Sequence, residues 1–218
     1  MERINIKQEL ILKSIWFTCA SISQTFERTS RSREDILYHA WRIFTGKLGE
    51  LTFANWLVDK NLLSSEDYKK YEDNALSIFW GKTNVDEFDL HVNGYLIDIK
   101  TLPEHSHKYL IIPKDQFENQ PKDIYVCLRL EHSLNNNEMK IKLLNKNCFE
   151  IYTLLKNNTI KEQYRFTAEI LGFIERRTTL FEFYEKDAVC PEKSCYRIHI
   201  NRLSNIGNLF PLLNPLSS

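Results

Sequence analysis

The fold of this chain is decided by residues 85–100, which read VDEFDLHVNGYLIDIK. Asn93-Gly94 stands between two runs in which apolar and polar residues alternate. This dipeptide is a strong signal for a β-hairpin, because a type I′ turn needs a positive φ at both central residues. The sequence therefore predicts two strands, 86–92 and 95–102, joined by a two-residue turn.

A two-residue turn also determines which residues of the two strands face each other. One face of the hairpin is then apolar and consists of three cross-strand pairs: Val92–Tyr95, Leu90–Ile97 and Phe88–Ile99. The other face is charged, because Asp89 is opposite Asp98 and Glu87 is opposite Lys100. A bulge or a slip in the first strand would put Glu87 or Asp86 in the place of Asp89.

Two carboxylates on directly opposed residues, with Cβ atoms about 4.5–5.5 Å apart, destabilise a hairpin unless something compensates them. A divalent cation between Asp89 and Asp98 is the simplest compensation, since hard oxygen ligands suit Mg²⁺ and Mn²⁺. Lys100 points to the same face as Asp98. Its ammonium could hold a water molecule or stabilise a developing phosphorane charge. The plain alternative is that both aspartates are hydrated surface residues.

An acidic residue upstream favours the metal site over that alternative. Glu50 interrupts an otherwise apolar helical segment and follows Gly46 and Gly49, which would let the helix approach the sheet closely. Glu50 could instead be an acid in the first turn of a helix, where a negative charge is favourable.

Elsewhere the periodicity is helical up to about residue 80 and strand-like from residue 85. The predicted helices are 11–22, a second one that opens near Ser32 and is interrupted at Gly46 and Gly49, 66–79 with Ser64 or Ser65 as its cap, 114–118 and 148–155. The further predicted strands are 109–112, 124–130, 140–144 and 195–200. We predict one domain over 1–218, with a helical part at 1–80, a catalytic sheet at 85–130, and a region at 140–218 for specificity or dimerisation.

The composition excludes several classes of protein. Of the 218 residues, 43% are hydrophobic and 27% charged, with 29 basic and 29 acidic side chains. These values are typical of a soluble globular domain and exclude disordered and collagen-like chains. No uncharged apolar window is long enough to span a membrane. The five scattered cysteines favour a reducing setting, so we expect a cytoplasmic protein without membrane contact.

Together these residues resemble the PD-(D/E)xK nuclease superfamily, which includes many restriction endonucleases. The resemblance spans about residues 46–130: Glu50 corresponds to the helix acid, Asp89 to the first strand acid, and Asp98-Ile99-Lys100 to the (D/E)xK element. The chain departs from the pattern at Phe88, where the family has proline. The resemblance implies an α/β fold with a restriction-endonuclease-like core, in which helices flank a mixed central sheet and a helical segment precedes it.

The resemblance also implies an activity, the hydrolysis of DNA phosphodiester bonds by a metal-activated water, as in restriction or DNA repair. Asp89 and Asp98 would ligate Mg²⁺, for which Mn²⁺ could substitute, with the backbone carbonyl of Ile99 as a further ligand. Glu50 would complete or orient this shell, and Lys100 would polarise the attacking water.

Contacts with DNA must be local because the formal net charge is zero. The candidate contacts are Arg31, Arg33, Lys47, Lys114 and Gln116, although Gln116 could also be a plain helix-surface residue. A homodimer is the natural arrangement for cutting both strands of a duplex. Two rival hypotheses remain at this stage: a nuclease-fold module that binds nucleic acid without turnover, and a nuclease acting on RNA or on branched or single-stranded DNA. Zinc binding by Cys190, Cys195 and His199 is not supported, because their spacing does not suit a four-ligand site.

Overall fold

The structure is a computed structural model that describes residues 2–29, 36–76, 90–102, 107–132, 165–185 and 194–214. The helices are α1 (Gln8–Thr29), α2 (Ile36–Asp59), α3 (Ser65–Ala75), α4 (Lys114–Asn119) and α5 (Leu209–Leu213). The strands are β1 (Glu2–Asn5), β2 (Leu90–Val92), β3 (Tyr95–Leu102), β4 (Tyr109–Pro113), β5 (Ile124–His132), β6 (Phe166–Glu175), β7 (Glu182–Tyr184) and β8 (Cys195–His199). None of the helices in these ranges is long and apolar enough to cross a membrane.

Five strands form a mixed sheet in the order β1-β6-β5-β3-β2. β3 and β5 are parallel, and the other neighbours are antiparallel. The long helix α2 packs on one face of this sheet and buries Phe44, Leu48 and Leu51 against strand residues such as Ile97 and Val126. The chain is therefore an α/β protein with helices on a mixed sheet.

A second, three-stranded antiparallel sheet covers the other face of the main sheet. Its strand order is β4-β8-β7. Leu110, Ile112 and Ile198 of the small sheet pack with Tyr125 and Cys127 of β5 in a separate apolar cluster. Period-two alternation divides β5 in this way, so that its successive side chains enter different cores.

The predicted hairpin is confirmed over the residues that the structure describes. Asn93 and Gly94 have φ values of 47° and 87°, as a type I′ turn requires. The register pairs Leu90 with Ile97 and Val92 with Tyr95. The Asn93 side chain donates a hydrogen bond to the backbone carbonyl of Leu213 in α5, 2.5 Å away, which anchors the turn. Residues 86–89 lie outside the described ranges.

Two predicted helices differ in length from those observed: α1 runs from Gln8 to Thr29 where 11–22 was predicted, and α3 ends at Ala75 instead of residue 79. The other predicted elements agree closely where they can be compared. β3 has the predicted bounds, while β4, β5 and α4 each extend one or two residues beyond their predicted ends. The hydroxyl of Ser64 accepts a hydrogen bond from the backbone N–H of Asp67, 3.0 Å away, and caps α3. The predicted strand 140–144 and helix 148–155 lie outside the described ranges.

The predicted interruption of the second helix at its glycines is wrong. α2 continues through Gly46 and Gly49 to Asp59, because the apolar residues on either side share one buried face against the sheet. Glu50 consequently lies in the middle of a long helix, and the alternative of a first-turn acid does not hold.

Described residues of the region after residue 140 also contribute to the core. β6 lies inside the main sheet between β1 and β5, and neither β1 nor β6 was predicted from the sequence. The specificity or dimerisation role expected for 140–218 stays a prediction, but part of this region is a core strand.

Candidate functional site

Strand β3 places Asp98 and Lys100 side by side on one face of the main sheet. In the parallel register they are level with Tyr125 and Cys127 of β5. The Nζ atom of Lys100 is 2.8 Å from Oδ2 of Asp98, and both side chains remain partly open to solvent, at 24% and 17% exposure. The expected D-x-K pair is thus an ion pair that solvent can reach.

The helix α4 supplies a second partner for Lys100. Nζ of Lys100 donates a hydrogen bond to Oε1 of Gln116, 3.1 Å away. Pro113 directly precedes α4 and ends β4, so the chain turns from the small sheet toward this face of β3. Gln116, predicted either as a contact to nucleic acid or as a helix-surface residue, therefore holds the ammonium of Lys100 in place.

The backbone of β3 directs the Ile99 carbonyl away from β5. Leu96 exchanges hydrogen bonds with Asp123 beside β5, since its N–H donates to Oδ2 and its carbonyl accepts from the N–H of Asp123, each over 2.9 Å. Backbone groups alternate along a strand, so those of Ile97 and Ile99 point to the opposite edge. Within the described residues, Leu90 is the first residue of β2, and it pairs with Ile97. The carbonyl of Ile99, itself an expected metal ligand, thus points to the edge of β3 that pairs with β2, the strand on which Asp89 was predicted.

Helix α2 lies very close to β3 at Gly49. A Cβ atom built on Gly49 would lie 2.0 Å from Oγ1 of Thr101, whereas one on Gly46 would meet nothing within 4 Å. The close approach expected of the two glycines therefore depends on Gly49 alone. It places Glu50, the next residue, beside the strand that carries Asp98 and Lys100.

Lys47 lies in a different environment from the one predicted for it. It is buried, with 8% exposure, and its Nζ is 2.5 Å from Oε2 of Glu50 and 4.7 Å from the centre of the Phe17 ring. One helical turn separates Lys47 from Glu50, and this spacing aligns the two side chains. The predicted DNA contact is therefore not what this lysine makes here: it pairs with Glu50 between α1 and α2.

Tyr71 of α3 is buried within the electrostatic influence of both carboxylates. Burial raises the pKa of its hydroxyl well above the usual value, and the negative charges of Glu50 and Asp98 raise it further. Two carboxylates that come from opposite sides of β3 therefore act on the same hydroxyl. Sequence reasoning did not identify Tyr71, whose only local signal is an aromatic residue on a polar helix.

A second tyrosine reports the same charge from the other side. Burial raises the pKa of Tyr125 to about 12, and the Asp98 charge contributes to the increase. Asp98 is thus close to two phenols, and both favour the neutral form beside its carboxylate.

Several predicted site residues lie outside the described ranges, namely Asp89 with its substitutes Glu87 and Asp86, and the arginines Arg31 and Arg33. Lys114 is described, is exposed at the start of α4, and has its Nζ 5.4 Å from the centre of the Phe183 ring. Among the described residues, no three His, Cys, Asp or Glu side chains come together in a group that could hold a metal ion. The described part of the site therefore contains Glu50 and Asp98 without the third predicted carboxylate.

The zinc alternative gains nothing from the structure. Cys195 is buried, and Nδ1 of His199 accepts a hydrogen bond from the backbone N–H of Asn201, 3.2 Å away. Cys190 lies outside the described ranges.

The donors that are described suit a hard cation. The carboxylate oxygens of Asp98 and Glu50 and the edge-facing carbonyl of Ile99 are each donors of the kind that Mg²⁺ and Mn²⁺ prefer. Asp98 lies on the face of β3 opposite to the one on which α2 packs. Each carboxylate is at present balanced by a lysine ammonium, Lys100 or Lys47.

Comparisons with known proteins leave this geometry to be interpreted by itself. No protein-family model matches the chain, and neither a curated protein nor a solved structure matches it. A function must therefore be argued from the arrangement of the side chains.

Proposed function

We propose that this protein is a metal-dependent endonuclease that hydrolyses DNA phosphodiester bonds by PD-(D/E)xK chemistry, in the manner of restriction or DNA-repair enzymes. The observation that carries the proposal is the contact between Lys100 and Asp98, 2.8 Å apart on one partly exposed face of a central strand. An ammonium next to a carboxylate that can bind a metal is what this hydrolysis needs, because the reaction joins an activated water to a phosphorus centre that gains negative charge.

Asp98 and the Ile99 carbonyl would hold Mg²⁺ together with Asp89, and Glu50 would complete or orient this shell. The ion supplies an activated water and stabilises negative charge on the phosphate. Mn²⁺ has the same preference for oxygen ligands and should substitute.

Lys100 has the donors for both a fixed position and a catalytic contact. An ammonium carries three protons, and two of them are directed to Asp98 and Gln116. The third proton can form a hydrogen bond to the attacking water or to a phosphate oxygen. Holding the ammonium through two oxygens before substrate arrives lowers the reorganisation that the reaction requires.

Lys47 acts in this proposal as a positioning residue for Glu50. The 2.5 Å contact orients the carboxylate, and the ring of Phe17 lies over the ammonium at 4.7 Å. Such packing limits the rotamers of Lys47, so the carboxylate of Glu50 has a defined place beside β3.

The test uses labelled oligonucleotides in duplex, branched, single-stranded DNA and RNA forms, each incubated with Mg²⁺, Mn²⁺ or EDTA. We expect cleavage of DNA with either metal and none with EDTA. Cleavage of RNA alone would replace the proposed substrate. Binding to the oligonucleotides without cleavage of any of them would favour the binding module over the enzyme.

The same proposal includes a homodimer that binds duplex DNA and cuts both of its strands. Two copies related by a two-fold axis would place two such sites on the two strands. Sedimentation of the protein with and without a duplex would measure whether one or two copies bind.

A further inference from the structure

Four aromatic side chains form a continuous surface beside the candidate site, which we call the aromatic patch: Phe117, Phe181, Phe183 and Tyr196. The Phe117 ring stacks on Tyr196 with centres 4.2 Å apart and meets Phe181 edge-on at 5.0 Å. Phe183 follows, with its ring centre 5.2 Å from that of Tyr196. The patch thus extends from α4 across β8 to β7 at the edge of the small sheet.

Phe183 is the open end of the aromatic patch. It is 45% exposed, and within the described residues only it and Leu180 are large apolar side chains with such exposure. An exposed phenylalanine that adjoins further rings offers a flat π surface to a ligand, whereas the patch behind it is half-buried.

The patch is held rigidly before any ligand binds. The Tyr196 hydroxyl donates to Oε1 of Glu118, 2.9 Å away, and the backbone N–H of Lys114 donates to the carbonyl of Ser194 next to β8. These contacts tie α4 to the small sheet. A preformed surface loses little conformational entropy on binding.

Cations accompany the rings. The ammonium of Lys114 lies 5.4 Å from the centre of Phe183, and the guanidinium of Arg176 lies 5.2 Å from that of Phe117. Two acidic side chains also border the patch: Glu118 accepts a hydrogen bond from Tyr196, and Glu182 pairs with Arg202 over 3.4 Å. Aromatic rings together with cations are the surface on which single-stranded nucleic acids bind, because bases stack on the rings and phosphates meet the charges.

The aromatic patch is continuous with the candidate site. Gln116, the partner of Lys100, directly precedes Phe117 in α4. Lys114, whose ammonium lies over Phe183, is two residues before Gln116. One helical turn, with a pitch of about 5.4 Å, therefore carries both the contact of Lys114 with Phe183 and the contact of Gln116 with Lys100. A strand whose phosphate reaches Lys100 can therefore place a neighbouring base over Phe183.

We infer that the aromatic patch binds an unpaired base, and that the protein cuts DNA faster where a single-stranded segment adjoins the cut than in a continuous duplex. The reaction in this inference rests on the proposed function, while the binding of the base does not. Bases of a regular duplex are stacked on one another and cannot cover Phe183, so the patch favours single strands, flaps or frayed ends.

The test measures binding of the full chain to a fluorescein-labelled oligothymidylate and to a duplex, in EDTA so that no strand is cut. Phe183→Leu keeps an apolar side chain but removes the ring, and we expect single-strand affinity to fall about 5- to 150-fold, the equivalent of about 1–3 kcal/mol per stacked base. Duplex affinity should stay the same. Phe183→Trp should keep single-strand affinity, because tryptophan also offers a π surface. Leu180→Ala is the matched control and should behave as the wild type.

Equal single-strand affinity of Phe183→Leu and wild type would overturn the inference, as would an equal loss on both substrates. A change of molar mass in light scattering on Phe183→Leu, without loss of single-strand affinity, would assign the patch to a second copy of the chain. Because these measurements need no cleavage, the patch can be confirmed or rejected whether or not the protein is a nuclease.

Discussion

Gly49 of α2 and Thr101 of β3 touch so closely that a Cβ on the glycine would lie 2.0 Å from the Thr101 hydroxyl oxygen and 3.2 Å from its Cβ. Two non-bonded atoms cannot lie 2.0 Å apart. Rotation of the Thr101 side chain could move its hydroxyl oxygen but would leave its Cβ in place. The contact sets the distance between the helix that carries Glu50 and the strand that carries Asp98. The site is therefore sensitive to a single methyl group.

Replacing Gly49 by alanine should destabilise the protein. Glycine to alanine within a helix normally stabilises by about 1 kcal/mol, but overpacking here should reverse the sign and cost about 1–3 kcal/mol. Gly46→Ala is the control, because a Cβ there has nothing within 4 Å, and it should stabilise. Urea unfolding measures both variants, and Thr101→Ala added to Gly49→Ala should recover part of the loss. A Gly49→Ala variant more stable than wild type would show that the approach is not as close as described.

Asp98→Asn and Lys100→Met should separate metal binding from cleavage. Both variants should lose cleavage, with Lys100→Met reduced about 10²-fold or more, as for loss of one donor to the transition state. Asp98→Asn should in addition weaken the binding of Mn²⁺, whereas Lys100→Met should not. Isothermal titration with Mn²⁺ and circular dichroism of each variant supply the measurements. Weaker Mn²⁺ binding in Lys100→Met, with the fold intact, would argue against the assigned roles.

Lys47 and Glu50 should respond unequally to loss of their partner. Glu50→Met leaves the ammonium of Lys47 unpaired with a side-chain exposure of 9%, whereas Lys47→Met leaves a carboxylate that is 30% exposed. An unpaired buried charge costs on the order of 3 kcal/mol, and a partly hydrated one about 1 kcal/mol. Denaturant unfolding should therefore give Glu50→Met a lower free energy of unfolding than Lys47→Met. The double variant should regain part of the stability that Glu50→Met loses. The reverse order would mean that water reaches Lys47.

Alkaline pH should destabilise the protein through Tyr71 and Tyr125. Burial raises the pKa of both phenols, that of Tyr125 to about 12, and the Asp98 charge adds to each. The unfolded chain releases these protons near pH 10, so their contribution to stability is full below about pH 9 and is lost as the pH rises toward about 12. Urea midpoints across this range should fall less steeply for Tyr125→Phe than for wild type. Identical slopes would show that Tyr125 titrates normally in the fold.

The hairpin could be predicted because its signals are local. Asn93-Gly94 specifies the turn and period-two alternation specifies the register, so the positions of Asp98 and Lys100 on one face follow from neighbouring residues alone. The contact of Lys100 with Gln116 joins two elements, and the sequence offered Gln116 only as one of two alternatives.

Three strands, β1, β6 and the three-residue β7, were missed because they lack such signals. β6 is buried on both faces and carries Thr167 and Glu169 among its apolar residues, so it lacks the apolar–polar alternation that marks a half-buried strand. β1 has only four residues and pairs with β6 across most of the length of the chain. A pairing of this kind depends on the tertiary fold, which no local window contains.

Lys47 and Tyr71 show a similar limit at the site. A lysine near glycines suggests a surface contact to phosphate, but the packing of α1 on α2 buries it against Phe17 and Glu50. Tyr71 comes under the charges of Glu50 and Asp98 because α3 packs on α2 and buries it. Burial of this sort follows from helix packing rather than from residue type.

The requirement of DNA cleavage for Mg²⁺ and for Asp98 is tested most directly on supercoiled plasmid, incubated with wild type, Asp98→Asn or Asp73→Asn, each with Mg²⁺ and with EDTA. Asp73 is an exposed acid on α3, so its variant controls for the loss of one negative charge. We expect wild type and Asp73→Asn to nick or linearise the plasmid with Mg²⁺ only, and Asp98→Asn to leave it intact. Equal cleavage by Asp98→Asn and wild type, or cleavage that persists in EDTA, would contradict it.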